Sequence, residues 1–390
     1  MSRERTSHVG RPPCPSATVC HVTTVHDPFD TRVFRRECTA LAEAGYDVRL
    51  LAVHEGDCTR DGVRLHGLPR PPSRLARIAR WPWRAYERIL AIRPRPALCH
   101  LHDPELLAIA PLLRLAGFRV VFDVHENIPE QILAKHYLPM AVRLPVAWAY
   151  RFAEAVLTAG VATVHVLDGI AARYRPPKAV VRNLPRLQDV PEPPPAAARP
   201  GPVRLVYVGG ISAQRGAREM VLLAAELQRR GLDFELRVVG PVIEPGLTDE
   251  MRRIARQAGL GDRLRLTGPL PYEQARADLA AADIGLCLFL PVRHHLRSLP
   301  NKILEYLASG LAVVASDLPC WREFVTDTGA GIQVDPTDTA AAADACQRLI
   351  EHPDLRRAMA ERARRAARER YNWDAEKPRL LDFYGQLLRR

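Results

Sequence analysis

Residues 297–317, RSLPNKILEYLASGLAVVASD, decide the fold. Pro300 suits a first helical turn, Gly310 suits the position just past a helix end, and LAVVAS reads as a buried strand. The stretch predicts a helix over roughly 300–309 feeding a core strand, one unit of an α/β domain. The positive end of that helix lies beside Asn301 and Lys302, with Glu305 about one turn further in. A diphosphate docked at this mouth would meet backbone N–H groups, the helix dipole and a lysine charge. Glu305 would then be placed to accept hydrogen bonds from the two hydroxyls of a ribose. On these residues alone, a solvated Lys–Glu surface pair is an equal reading.

Working outward, the same rhythm repeats on both sides. ATVCHVTT, YDVRLLAV, ALCHL, FRVVFDV and VATVHVL are short apolar runs separated by segments of helical period. RLQDVPEPPPAAARPG, residues 186–201, is proline-rich and reads as a linker. The rhythm restarts with VRLVYVGG, FELRVVG, RLRLTG, DIGLCLFL, LAVVASD and GIQV. Together these predict two tandem Rossmann-like, doubly wound parallel-sheet α/β domains facing a cleft. The expected division is a flexible segment 1–16, a first Rossmann-like domain 17–185, the linker 186–201, a second Rossmann-like domain 202–372 and a final helix over 373–390. A chain of 390 residues exceeds one comfortable core, which agrees with two domains.

Composition narrows the partners. The net charge of +12 suits anionic ligands or surfaces. Of the 56 basic residues only four are lysines (135, 178, 302 and 377), so a lysine at a helix mouth stands out. Basic residues are dispersed and no nucleic-acid module is recognisable, so no nucleic-acid partner is expected. Eight cysteines without paired C-x-x-C spacing indicate neither a zinc site nor a disulfide framework, and predict a reducing cytoplasm. No apolar run reaches membrane-spanning length, and MSRERTSHVGRPPCPS lacks an apolar leader core.

Ligands of open parallel sheets sit at the carboxyl ends of strands. VYVGGISAQRG places Gly209 and Gly210 at such an end, with Arg215 and Gly216 ahead of an amphipathic helix. A tight strand-to-helix turn would explain the glycines equally well. RSLPNKILEYLASGLAVVASDLPCWREFV, however, resembles the donor-binding segment of glycosyltransferase family 4, retaining nucleotide-sugar enzymes of the GT-B architecture. VYVGGISAQRG is similar to that family's turn after the first strand of its second domain. HDPFDTRVFRRECTALAEAGYDVRLLA, HLHDPELL and FDVHENIPEQI resemble N-terminal blocks of its bacterial surface-polysaccharide branch. The resemblance thus covers nearly the whole chain.

This resemblance implies transfer of a sugar from a nucleoside diphosphate sugar to a hydroxyl of a saccharide or lipid-linked acceptor, with retention and without metal or other cofactor. It assigns Lys302 and Arg215 to the donor diphosphate, Glu305 to the ribose, and His125 to the reaction centre. Gly209, Gly210, Arg297, Ser298, Pro300 and Asn301 complete the expected donor site. Two positions depart from the family pattern. Arg297 stands where a glutamate is usual, and Gly210 stands where an arginine is usual, leaving Arg215 as the cation of that turn. Those departures keep open a noncatalytic sugar-nucleotide-binding subunit, and a nucleotide-sugar epimerase of the same architecture is a second alternative.

On the N-terminal side, Arg32, Asp103 and Glu126 are candidates for an acceptor-side or cleft role. For Arg32 the alternative is a helix-start ion pair between Asp30 and Arg32 or Arg36. His100 and His102 alternate on one strand face, but no acid and histidine follow at ligand spacing, so they read as structural, with Asp103 capping a helix that begins at Pro104. Segments 74–95 and 137–157 interleave arginine with tryptophan, tyrosine and aliphatic residues, a pattern compatible with lying on an anionic membrane. Ordinary amphipathic packing is the alternative, and Pro82 interrupts the first segment. The expected location is cytoplasmic, peripheral to the inner face of the plasma membrane.

Overall fold

A computed structural model of the chain describes residues 17–124, 128–133, 139–191 and 201–389. The chain forms two compact units, one of residues up to Asn183 together with those from Glu376 on, the other of Leu184–Ala375. In the first unit lie strands β1 (Thr18–Val22), β2 (Asp47–Val53), β3 (Cys58–Arg60), β4 (Val63–Leu68), β5 (Leu98–Leu101), β6 (Arg119–Val124), β7 (Ala162–His165) and β8 (Lys178–Val180). They form one sheet in the order β3-β4-β2-β1-β5-β6-β7-β8. Every pairing is parallel except β3 with β4, an edge hairpin. Central strands are parallel and covered on both faces, so β1 and β5 read as unbroken buried runs. The β3 edge is polar and half-exposed, and the apolar rhythm of the sequence therefore passes over it.

Helices α1 (Arg74–Ala91) and α2 (Met140–Leu157) belong to this unit. Pro82 lies inside α1 without ending it, which corrects the expected interruption. Trp81 beside it is buried and donates its indole N–H to the Pro69 carbonyl at 2.8 Å, while Ala85 and Ile89 continue the buried stripe. The packing of that stripe outweighs the single lost backbone bond.

The second unit holds β9 (Val203–Val208), β10 (Phe234–Val239), β11 (Leu264–Gly268), β12 (Ile284–Cys287), β13 (Ala312–Ser316) and β14 (Gly331–Val334), ordered β11-β10-β9-β12-β13-β14. All pairs are parallel. Helix α3 (Ala217–Arg229) buries Met220, Val221, Leu223, Ala224 and Leu227 at helical spacing. Helix α4 (Asn301–Ser309) buries Ile303, Leu304, Tyr306 and Leu307, and Gly310 stops it in the left-handed conformation. Leu184 is in this core and Leu187 packs against it, so the first residues of the proline-rich stretch have core contacts; residues 192–200, like the N-terminal segment 1–16, lie outside the described residues. Helix α5 (Trp373–Arg389) begins on this unit, where the Trp373 N–H donates to the Pro185 carbonyl at 2.8 Å, and from Glu376 on it packs with the first unit.

Strand order reverses between β9 and β12, the point at which an open α/β sheet opens a crevice at its carboxyl edge. One side chain makes the opening. β9 and β12 pair only at Ile284↔Leu205 and Gly285↔Val206. Beyond them the Tyr306 hydroxyl inserts, donating to the Leu286 carbonyl at 3.0 Å and accepting from the Val208 N–H at 3.4 Å. Residue 285 must be glycine for this wedge, since a Cβ there would fall 2.4 Å from the tyrosine ring. Tyr306→Phe is expected to leave both backbone groups short of a partner and to lower stability in urea titration by about 1–3 kcal/mol.

Candidate active site at the carboxyl edge of the second sheet

Gly209 and Gly210 follow β9, and Phe289 lies two residues past β12, so the strand ends deliver a backbone turn and an aromatic ring to the crevice. Between them stands Lys302, from the first turn of α4. Its side chain is 8 % exposed, and its Nζ lies 4.7 Å from the ring centroids of both Tyr207 and Phe289. Two aromatic faces hold an ammonium without neutralising it. Burial pulls the Lys302 pKa down to about 8, opposed by nearby Cys287 and Glu305 and assisted by Arg215. A cation kept so near deprotonation is stabilised by any anion that arrives.

Arg215 is the second charge. Its guanidinium donates to the Gly210 carbonyl at 3.2 Å and lies 5.9 Å from the Phe289 centroid. A Cβ at residue 210 would fall 2.7 Å from Arg215 Nη1. The guanidinium thus fills the space that a side chain at position 210 would take, which gives physical content to the glycine found there. The turn carrying Arg215 is fixed from three sides. Ser212 Oγ accepts from the Arg215 N–H at 3.3 Å, the Glu244 carboxylate accepts from the Ala213 N–H at 3.3 Å, and the Leu290 N–H donates to the Gln214 carbonyl at 2.9 Å.

Residues 297–300 approach as a loop. The Ser298 carbonyl accepts from the Trp321 indole at 2.6 Å and from Cys320 Sγ at 3.4 Å, anchoring the loop ahead of α4. Pro300 is the N-cap and Asn301 begins the helix; no side chain caps the first turn, leaving that end open to an outside acceptor. Glu305 is half-buried one turn in, and Arg297 is exposed in the loop. Tyr207, Phe289 and buried His295 belong to the same surroundings and were not among the residues singled out from sequence. His295 Nδ1 lies 2.8 Å from the Leu290 carbonyl, and burial lowers its pKa to about 4. Tyr207 carries a readable signal, an aromatic two positions before the glycine turn; Phe289 and His295 carry none in the local pattern.

The first unit places its candidates differently. Arg32 is buried and forms a bidentate pair with Asp123 at 2.9 and 3.0 Å, with Glu37 3.2 Å from its Nε and the Val181 carbonyl accepting at 3.3 Å. The alternative of a helix-start pair does not form as such: the Asp30 carboxylate accepts from the backbone N–H groups of Arg32 and Val33 at 2.7 and 2.9 Å, and Arg36 donates to Asn183. Asp103 does not cap the helix at Pro104. Its carboxylate accepts from Thr23 and Thr24 at the end of β1, the strand at which the order of this sheet reverses. His125 and Glu126 lie outside the described residues.

The acid and histidine that spacing along the sequence did not supply for His100 and His102 come from elsewhere in the fold. His21, Glu37, His100 and His102 bring one donor atom each within 4.8 Å of one another, a set able to hold a metal ion. They are engaged in a buried network. His21 Nδ1 is 2.9 Å from His102 Nε2, and the Tyr384 hydroxyl of α5 lies 2.7 Å from His100 Nδ1 and 3.0 Å from His21 Nε2. Burial lowers the pKa of His21 and His100 and raises that of Glu37. The contacts of the Tyr384 hydroxyl with His100 and His21 make this a structural cluster that ties the last helix to the sheet.

Comparison with known proteins gives a family match over each half of the chain. Residues 192–366 match the family described as glycosyl transferases group 1, and residues 31–203 match that described as glycosyl transferase 4-like domain. Alpha-D-kanosaminyltransferase of Streptomyces kanamyceticus is 30% identical over 183 residues, 47% of this chain and 45% of the relative. The GDP-mannose:cellobiosyl-diphosphopolyprenol alpha-mannosyltransferase of Xanthomonas oryzae pv. oryzae is 28% identical over 192 residues, 49% of each chain. The chain therefore spans about half the length of these curated relatives. Sucrose-phosphate synthase from Thermosynechococcus elongatus shares the fold with a TM-score of 0.75 at 19% identity, covering 96% of this chain and 99% of that one.

The pKa of Lys302 sets a pH test. The group is charged below about 8, so its contribution to anion binding is present at lower pH and lost as pH rises through that value. Calorimetry with inorganic diphosphate should show wild type binding at least about tenfold tighter than Lys302→Met at pH 7, the ratio shrinking toward pH 9. A ratio independent of pH would contradict the assignment.

Proposed function

We propose that the chain transfers a hexosyl group from a nucleoside diphosphate sugar to a hydroxyl of a saccharide or lipid-linked acceptor, a reading supported by the glycosyltransferase matches of residues 31–203 and 192–366. The observation carrying this reading is the pair of cations at the β9/β12 reversal, Lys302 between two aromatic rings and Arg215 across the Gly210 turn. Lys302 stands in the first turn of α4, whose N-terminus no side chain caps, so a diphosphate there would meet backbone donors as well as the charge. Glu305, half-buried one turn in, would accept the ribose hydroxyls.

The chemistry follows from where charge grows. As the bond between anomeric carbon and diphosphate oxygen breaks, negative charge develops on the leaving group, and preorganised cations stabilise it without solvent rearrangement. The acceptor hydroxyl forms the new carbon–oxygen bond, and its proton passes to the departing phosphate. Transfer with retention, His125 at the reaction centre and independence from metal are part of the proposal. A role in surface or extracellular polysaccharide synthesis is supported by the relative named for GDP-mannose and a diphosphopolyprenol-linked acceptor. A cytoplasmic location is supported by seven free cysteines among the described residues, and none of the described helices is long and apolar enough to cross a membrane.

A panel of nucleoside diphosphate sugars, read first by thermal shift and then by nucleotide release with lipid-linked acceptors, tests the reading. One donor class should stabilise the protein, with release dependent on acceptor and unaffected by EDTA. Glu305→Ala should weaken donor binding, whereas Lys302→Ala should reduce turnover by about 10²–10³-fold, more than it weakens binding. Stabilisation without release would indicate a binding subunit, and consumption of donor without acceptor an epimerase.

A further inference from the structure

Of the 17 large hydrophobic residues exposed among the described residues, 11 lie on α1 and α2. The chain has five tryptophans, and three are buried; the two exposed ones, Trp83 at 49% and Trp148 at 67%, stand one on each of these helices. Both helices pack on the turn Pro104–Ile109, where Arg77 of α1 lies 3.3 Å from Glu105 and Tyr150 of α2 feels the same carboxylate. They are neighbours on one side of the first unit.

Helix α2 is unusual in what it leaves uncovered. Arg143, Ala147, Tyr150 and Glu154 form its inward stripe, all buried or half-buried. The rest, roughly two-thirds of the circumference at 100° per residue, carries Leu144, Val146, Trp148, Phe152 and Val156, with Arg151 as its one charge. A flat protein partner covers one stripe of a helix; a convex apolar arc of this width is covered when the helix sinks into a lipid interface. Charge points to the same occupant. Helix α1 exposes Arg74, Arg80 and Arg84, with Arg88 paired to Asp57 at 3.3 Å and Glu87 the one exposed acid of the helix, and the one acid of α2, Glu154, is buried.

We infer that α1 and α2 form a docking face for an anionic lipid bilayer, with α2 seated at the depth of the headgroups and the arginines of α1 on the lipid phosphates. The face uses no residue of the donor site, so it stands or falls apart from the proposed transfer reaction. Docking would hold the first unit against the surface from which a lipid-linked acceptor is presented.

Flotation with vesicles of phosphatidylglycerol and phosphatidylethanolamine, against phosphatidylcholine alone, tests it with the full chain. Wild type should bind the anionic vesicles and not the zwitterionic ones, with a blue shift of tryptophan emission. Trp148→Glu/Phe152→Glu should lower the bound fraction at least tenfold, and Arg80→Glu/Arg84→Glu should lower it on anionic vesicles, while both variants keep wild-type circular dichroism and affinity for inorganic diphosphate. Absence of binding at low salt, or binding that both variants leave unchanged, would overturn the inference. So would a dimeric mass by light scattering that Trp148→Glu reduces to monomer without any vesicle binding, because a second copy would then cover the face.

Discussion

A hydroxyl between two strands governs the second unit. Where β9 and β12 would continue their ladder, Tyr306 takes the Val208 N–H and the Leu286 carbonyl for itself, so the strands separate without orphaning a backbone group. The site follows from that separation. Lys302 enters the opened space from the turn before Tyr306, Phe289 closes it from β12, and the Gly209–Gly210 turn forms its floor from β9. Wedge and cation share helix α4, four residues apart, so the element that opens the crevice also charges it.

Desolvation would normally remove a lysine from such a place. Here the cost is met in part by two ring faces and in part by being left incomplete: the ammonium is destabilised enough to lower its pKa to about 8. Arg215 adds to the strain rather than relieving it. Two cations held together in a partly desolvated space constitute a site whose electrostatic balance improves when a multiply charged anion enters, the behaviour expected of a diphosphate pocket. The packing of Arg215 against residue 210 shows how the turn keeps a cation without a longer side chain at that position.

Much of this was legible in the sequence because it is local. Strand rhythm, the Pro300 start, the Gly310 stop and the helix mouth at Lys302 each depend on residues within a few positions of one another. What was not legible depends on distance along the chain. Arg32 finds Asp123 at a separation of 91 residues, Asp103 finds Thr24 at 79, and His100 finds Tyr384 at 284, so each reads locally as an exposed ion pair, a cap or a strand histidine. Tyr306 reads as one more buried position on an amphipathic helix, and its hydroxyl becomes informative only when the two strands beside it are known. Pro82 misleads in the opposite sense, since a local rule for breaking helices yields to the burial of Trp81 and Ile89.

The central claim is that Lys302 is a buried cation awaiting a diphosphate. The chain has only four lysines, so ¹³Cε-lysine labelling gives a spectrum simple enough to assign with Lys302→Arg. A pH titration should show one lysine with a pKa near 8 and should show that value rising by at least about one unit when a nucleoside diphosphate is added. If every lysine titrates near 10.4, or if the low value does not move with ligand, the account of the site is contradicted.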